Sequence, residues 1–510
     1  MRRVAYLFPP GNRIAPDRNT PFGAALNGLS MLSILVCHSY FLRFDQKQQQ
    51  RAKPYPPLAT LQVASLLRNA GHEVSLFDAM LAEDYSRFER QLDVLKPQLV
   101  LLYEDNYNFL SKMCLGRMRS AAFDMMGIAR ARGTRVLVAG SDASDAPDRY
   151  LAAGANAVLH GEALAALVAV IERLNHDVLL PAPDLSAGLP DVSVAGPHGA
   201  LRSRAAGALP EPKLAGLPAW DLIDIEKYRR VWQRAHGHFS LNMAASRGCS
   251  FRCNWCAKPI WGNQYLQRPA REVAAEMIHL RRHYRPDHIW FADDIFGFRV
   301  DWVNEFAAAL REGGGGVPFT IQLRADLTSA RMAEALRNAG CKEVWIGAES
   351  GSQKILDAMN KGTRVRENLQ ARRLLGDAGI RVGFFLQLGY LGEELVDILA
   401  TRRLLEEARP DDVGVSVSYP LPGTKFYESV KAQLGEKTHW QESNDLEMMF
   451  AGTYRSEFYR LVRNLLHDQV QHPNSLEVAR RWEEIIASEA VYRQDATGAG
   501  FDVRLAGAVS

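Results

Sequence analysis

Short apolar runs, each ended by glycine or a polar cluster and each followed by an amphipathic stretch, recur along most of the chain, and no other feature restricts its fold as much. In the first third, residues 57–70 carry apolar side chains at helical spacing, with Gly71 as the stop, and residues 72–78 resume as a strand. Residues 85–95 and 118–132 read as helices, and 4–8, 98–103, 135–139 and 157–160 as strands, with a further helix over 163–174. Strands alternating with helices predict an α/β, doubly wound, mostly parallel sheet. Ligands of such sheets bind at the carboxyl ends of the strands. Here those ends are Tyr103, Glu104, Asp105 and Asn106, then Gly140 and Ser141, then Gly161 and Glu162.

Residues 176–235 are dense in proline and glycine and read as a linker, part of which can pair as short strands. Within it, residues 217–223 place Trp220 to pack across a domain boundary. From residue 240 the alternation returns, with strands expected over 241–245, 289–292, 319–323, 344–347, 382–388 and 413–418. Helices fall between them over 271–283, 302–310, 330–339 and 366–378. Six such repeats predict a partial (β/α)6 barrel, open on one side, with its site at the carboxyl ends of the strands. The expected layout is a doubly wound domain over 1–175, the linker, the barrel over 236–430 and a helical region over 431–510. In that last region Phe450, Tyr454, Phe458, Leu461, Val462 and Leu465 lie at helical spacing and are expected to pack on the barrel, while residues 496–510 fray.

Between the first barrel strand and its helix stand Cys249, Cys253 and Cys256, a CxxxCxxC spacing. Three grouped thiols can hold three irons of a [4Fe–4S] cube and leave the fourth iron without a protein ligand. They are also most of a structural zinc site, with His279 or His283 as fourth ligand, and that reading predicts a colourless, non-catalytic binding protein. The other cysteines, Cys37, Cys114 and Cys341, are scattered singly among apolar neighbours, where a thiol acts as a small hydrophobe.

The cysteine motif, with Trp255 before its last thiol, closely resembles that of the radical S-adenosylmethionine (SAM) superfamily. The resemblance implies a [4Fe–4S] cluster on the three cysteines whose open iron is chelated by SAM. It also implies SAM contacts from Trp255, Asp293, Asp294, Arg324, Glu349, Ser350 and Gln387. The first domain is similar to the cobalamin-binding domain of B12-dependent radical SAM enzymes, through the helix start at Pro57, the junction at residues 70–74 and the loops at Gly140 and Gly161. The DxHxxG signature of other cobalamin proteins is absent, since Ala79 and Met80 follow Asp78. What the resemblance implies is a cobalamin-dependent methyltransferase, with cobalamin contacts from Tyr103 to Asn106, Gly140, Ser141, Gly161 and Glu162. An oxidative cyclase or rearrangement enzyme with the same cofactors is the alternative. A small-molecule or natural-product substrate and an electron donor such as flavodoxin or ferredoxin follow from the same likeness. A methylthiotransferase is disfavoured, because Cys37 and Cys114 are too few and too far apart for a second cluster.

Composition adds exclusions. With 47% hydrophobic and 23% charged residues and a net charge of +3, the chain reads as an ordinary globular protein with no electrostatic case for nucleic acid. The apolar stretch over 24–42 is interrupted by Asn27, Ser30, Ser33, His38 and Ser39 and falls short of a membrane span. Few cysteines, half of them grouped, suit a reducing compartment, and the expectation is a cytoplasmic protein.

Overall fold

The computed structural model describes residues 31–113, 116–202, 216–256, 264–435 and 446–494. The strand expected over 4–8, Cys114 and residues 496–510 lie outside them.

The first sheet has seven strands in the order β2-β1-β3-β4-β5-β6-β7. They are β1 (Ser33–Cys37), β2 (Glu73–Phe77), β3 (Leu99–Tyr103), β4 (Arg135–Ala139), β5 (Ala157–Leu159), β6 (Val192–Gly196) and β7 (Gly199–Arg202). The first five are parallel, and the last two form an antiparallel hairpin at one edge. β1 is the surprise. The stretch weighed above only against a membrane span folds as a central strand, its apolar residues buried on both faces as a parallel sheet requires. Among the described residues no helix is long and apolar enough to cross a membrane. Strand order reverses between β1 and β3, which makes the carboxyl ends of those two strands the switch point where ligands of such sheets bind.

The second sheet is parallel throughout, in the order β15-β14-β13-β12-β11-β8. Its strands are β8 (Ser240–Met243), β11 (His288–Phe291), β12 (Phe319–Leu323), β13 (Cys341–Glu349), β14 (Arg381–Leu388) and β15 (Asp412–Val417). β8 and β15 are both edges, so the barrel is open between them. Leu241, Ile289, Ile321, Val344 and Phe384 are fully buried under the surrounding helices. At the edge, β15 is packed by helix Ser456–Gln471, which buries Phe458, Val462 and Leu465. Leu461 departs from the expectation: it faces solvent at 39% exposure, because it sits one position off that stripe.

Helix Ile225–His236 joins the two sheets. Its buried Ile225, Tyr228 and Trp232 fall on one face, and the Tyr228 hydroxyl donates to Asp78 at 2.8 Å while the Trp232 indole donates to the Pro54 carbonyl at 2.7 Å. Trp220 is buried 6.4 Å from the ring of Tyr284, and the Ala219 amide beside it donates to Leu61 of the first unit. The aromatic thus packs across the boundary, as its sequence position suggested.

Candidate functional site

β8 leads into a loop that turns back through a two-strand ribbon, β9 (Ser246–Arg247) with β10 (Leu266–Gln267). Asp293, at the end of the neighbouring strand β11, fixes where that loop begins. Its carboxylate accepts from the Ala245 amide at 3.0 and 3.1 Å and from the Ser246 hydroxyl at 2.5 Å, and burial pushes it up to about 7. Both oxygens are therefore engaged by the chain itself, and exposed Asp294 is left nearer the thiols, in electrostatic range of Cys249 and Cys256.

Asn254, which the sequence did not single out, pins the other end of the loop. Its amide donates to the Met359 carbonyl (3.0 Å), its side chain donates to the Ala358 carbonyl (2.7 Å) and accepts from the Tyr390 hydroxyl (2.8 Å), and its own carbonyl accepts from the Phe426 amide (2.9 Å). Asn360 adds a bond to the Arg252 carbonyl at 3.0 Å. Cys249 and Cys253 are half-buried and Cys256 is exposed, all within electrostatic reach of one another. Among the described residues no three His, Cys, Asp or Glu groups are placed to hold a single metal ion. His279 and His283 stack on each other with centroids 4.3 Å apart. They stand near the end of helix Ala270–His283, which returns the chain to the amino-terminal end of β11, away from the cysteines. A mononuclear zinc site completed by either histidine therefore does not fit.

Other strand ends carry the remaining candidates. Arg324, after β12, is buried; its guanidinium is bonded to Asp326 (2.9 and 3.0 Å) and the Lys361 carbonyl (2.9 Å), lies 3.6 Å over the Phe251 ring and reaches to 3.9 Å from Cys253 Sγ. Glu349 ends β13 at a bulge with φ +59°, a left-handed conformation that a non-glycine residue adopts only when its surroundings impose it. Its carboxylate forms a buried 2.8 Å pair with Lys361. Ser350 bonds outward to Thr401 on helix Leu395–Ala408 (3.2 Å) and accepts from the Ser352 amide, so it holds that helix. Gln387 is different. Its carbonyl oxygen, the Ser418 hydroxyl on the next strand end and the Trp255 indole nitrogen are all buried without a hydrogen-bond partner. Buried polar atoms without partners are costly, and those of Gln387 and Ser418 on adjacent strand ends, with that of Trp255 in the cysteine loop, suit a bound polar ligand such as SAM.

On the first sheet the Tyr103 hydroxyl donates to the Glu162 carbonyl at 2.6 Å. Glu104 accepts from the Ser39 amide and hydroxyl (3.2 and 2.5 Å), and burial pushes it up to about 7. Asp105 accepts from the Ala59 amide at the start of helix Leu58–Asn69. Asn106 is fully buried at the switch point with neither end of its amide bonded, the outline of an amide-rich ligand such as cobalamin. Gly140 packs so closely on Glu104 that a Cβ there would sit 2.8 Å from its side chain. Ser141 is buried beside it, and Gly161, at φ +72°, donates to the Ser144 hydroxyl at 2.9 Å. Sequence reading passed over His38, which follows β1 and sits 3.1 Å from Asp78. It also passed over Arg247, whose guanidinium pairs with the Glu162 carboxylate. That pair joins the carboxyl edge of the first sheet to a residue two positions before Cys249. Beside it lies a cavity of about 330 Å³ lined in part by Tyr107, Arg247 and Arg268. A larger groove of about 760 Å³, around Arg372 and Arg381, lies at the amino-terminal end of β14, away from the thiols.

Residues 243–405 match the family model described as the radical SAM superfamily. This segment is a radical SAM domain. Over 80% of the chain the fold is also that of the radical SAM methyltransferase TsrM of Kitasatospora setae, with a TM-score of 0.61, 17% identity and 79% of that chain covered. The hopanoid C-3 methylase of Methylococcus capsulatus is 25% identical over 74% of this chain and 69% of its own. An uncharacterised methyltransferase of Pyrococcus horikoshii is 25% identical over 42% of this chain and 45% of its own, so the match spans about half of that relative.

Proposed function

We propose that the chain is a cobalamin-dependent radical SAM methyltransferase acting on a small molecule. The observation that carries this reading is the Glu162–Arg247 pair, which sets the carboxyl edge of the first sheet, at the end of β5, beside the cysteine loop of the radical SAM domain. Cys249, Cys253 and Cys256 would hold three irons. Asp294 would meet the SAM amino group, and Gln387, Ser418 and Trp255 would satisfy its other polar edges. Asn106 would meet the corrin, with Tyr103, Glu104, Asp105, Gly140, Ser141, Gly161 and Glu162 shaping its pocket. When bound, cluster and SAM supply a 5′-deoxyadenosyl radical and cobalamin supplies the methyl group taken by the substrate carbon. Asp293, Asn254 and Ser350 keep the loop and strand ends in place, as preorganisation of a site requires. A low-potential donor such as flavodoxin or ferredoxin in the cytoplasm suits this chemistry.

The test is a metal and corrinoid assay on protein purified without oxygen after growth with cobalamin. About four irons with one cobalt per chain, and label from methyl-labelled SAM passing to product, are the expected results. Iron without cobalt would sink the methyl-transfer reading, and zinc in place of iron would sink the radical one. Cys253→Ala should abolish stable iron binding.

A further inference from the structure

The three thiols share a field of mixed sign. Asp294 acts on Cys249 and Cys256, Arg324 also reaches Cys249 and Lys361 also reaches Cys256 and Cys253, but the cation in contact with a thiol sulfur is Arg324, at Cys253. Lys361 is neutralised by Glu349 at 2.8 Å. Arg324 also has a carboxylate partner, Asp326, but its Nη1 extends beyond that pair to Cys253 Sγ at 3.9 Å. Its freedom is removed from three sides: Asp326 holds Nε and Nη2, the Lys361 carbonyl holds Nη2 again, and the face of the guanidinium lies on Phe251. A group so fully engaged is poorly suited to closing on a ligand carboxylate.

We propose that Arg324 is a redox-positioning residue, holding a donor and a positive charge against the Cys253 sulfur so that the cluster on these thiols accepts an electron more readily. This rests on the proposed function insofar as it needs the cluster. The physical basis is general: adding an electron makes a thiolate-bound cluster more negative, and hydrogen bonds or cations at its sulfurs raise the reduction potential. Reduction here is a one-electron transfer from an external low-potential donor to the cluster, with no bond made or broken.

The experiment is a dithionite titration of the full chain carrying its cluster, without SAM or cobalamin, followed by the low-temperature spin-resonance signal of the reduced cube. Arg324→Gln should cut the ratio of reduced to oxidised cluster at a fixed potential about tenfold, which for one electron is 59 mV. Arg324→Lys, which keeps charge but not the fork, should lie between. Asp326→Asn, which loosens the tether but keeps the arginine, should move the same way by less and covers the case in which Arg324→Gln fails to fold. Variants that keep the wild-type iron content and titrate with the wild type would overturn the inference while leaving the proposed function standing. A wild-type chain without iron would overturn both.

Discussion

Glu104, Asp105, Asp293 and Glu393 are carboxyls that folding takes out of water, and burial pushes them up to about 7, 6, 7 and 8. The native chain therefore keeps protons that the unfolded chain releases above about pH 4. Their contribution to stability falls as pH rises from about 4 to about 8, the window between the unfolded and folded values, while His160 and His288, which burial pushes down to about 4, give the opposite slope below about pH 6.5. Thermal scans of the ligand-free chain at about pH 6.5 and 8, above most of the histidine window, should show the lower midpoint at the higher pH, and Glu104→Gln should narrow the gap. An unchanged gap would place the pH dependence elsewhere. Residue scale is also where strand-end position says least. Asp293 and Arg324 both stand where ligand-binding groups stand, and most of their polar atoms are bonded to Ala245 and Ser246 and to Asp326 and Lys361, with Arg324 Nη1 reaching on toward Cys253. Sequence shows where a side chain begins and not which neighbour already holds it.

Helix Leu395–Ala408 lies so close to the segment after β13 that a Cβ at Gly351 would stand 2.2 Å from the Ala400 carbonyl oxygen. The Gly351 amide uses that closeness to donate to Thr401 at 2.9 Å. Gly351→Ala should cost about 2 kcal/mol, read as a lowered thermal midpoint. Gly127, exposed inside helix Gly116–Arg130 with nothing near its missing Cβ, should behave oppositely, Gly127→Ala gaining about 0.5–1 kcal/mol. Most elements of this kind are legible in the sequence, because parallel strands buried on both faces must be continuous apolar runs. The strand residues of β3, β4 and β12 coincide with the runs read there. β1 was missed although Asn27-Gly28 and His38-Ser39 bracket it, because the apolar run around it was weighed as a membrane span rather than as a short buried strand. Helix Ile225–His236 was missed since only Ile225, Tyr228 and Trp232 are buried among its charged and polar neighbours, in a stretch whose prolines and glycines signal a linker.

At the scale of the whole molecule, the Glu162–Arg247 pair ties the first sheet to the cysteine loop. Both side chains are largely buried, so Arg247→Gln removes a shielded ion pair and should cost about 2 kcal/mol. The same variant should weaken corrinoid retention while leaving iron content near wild type, which a joint cobalt and iron assay reads directly. Equal loss of both metals would mean that the arginine shapes the cysteine loop instead.

An incomplete barrel has two bare flanks, and a bare strand flank is a template on which a second chain can build. Helix Ser456–Gln471 occupies the one at β15. Against β8 stand Tyr55 and Pro56 of the first unit, bonded to Ser240 at 3.1 Å and Asn242 at 2.9 Å, in a stretch where Pro54, Pro56 and Pro57 have no amide hydrogen to offer an incoming strand. The N-terminal unit is thereby a guard against aggregation as well as a candidate binding domain. A radical SAM domain cut away from it would precipitate before its chemistry could be assayed.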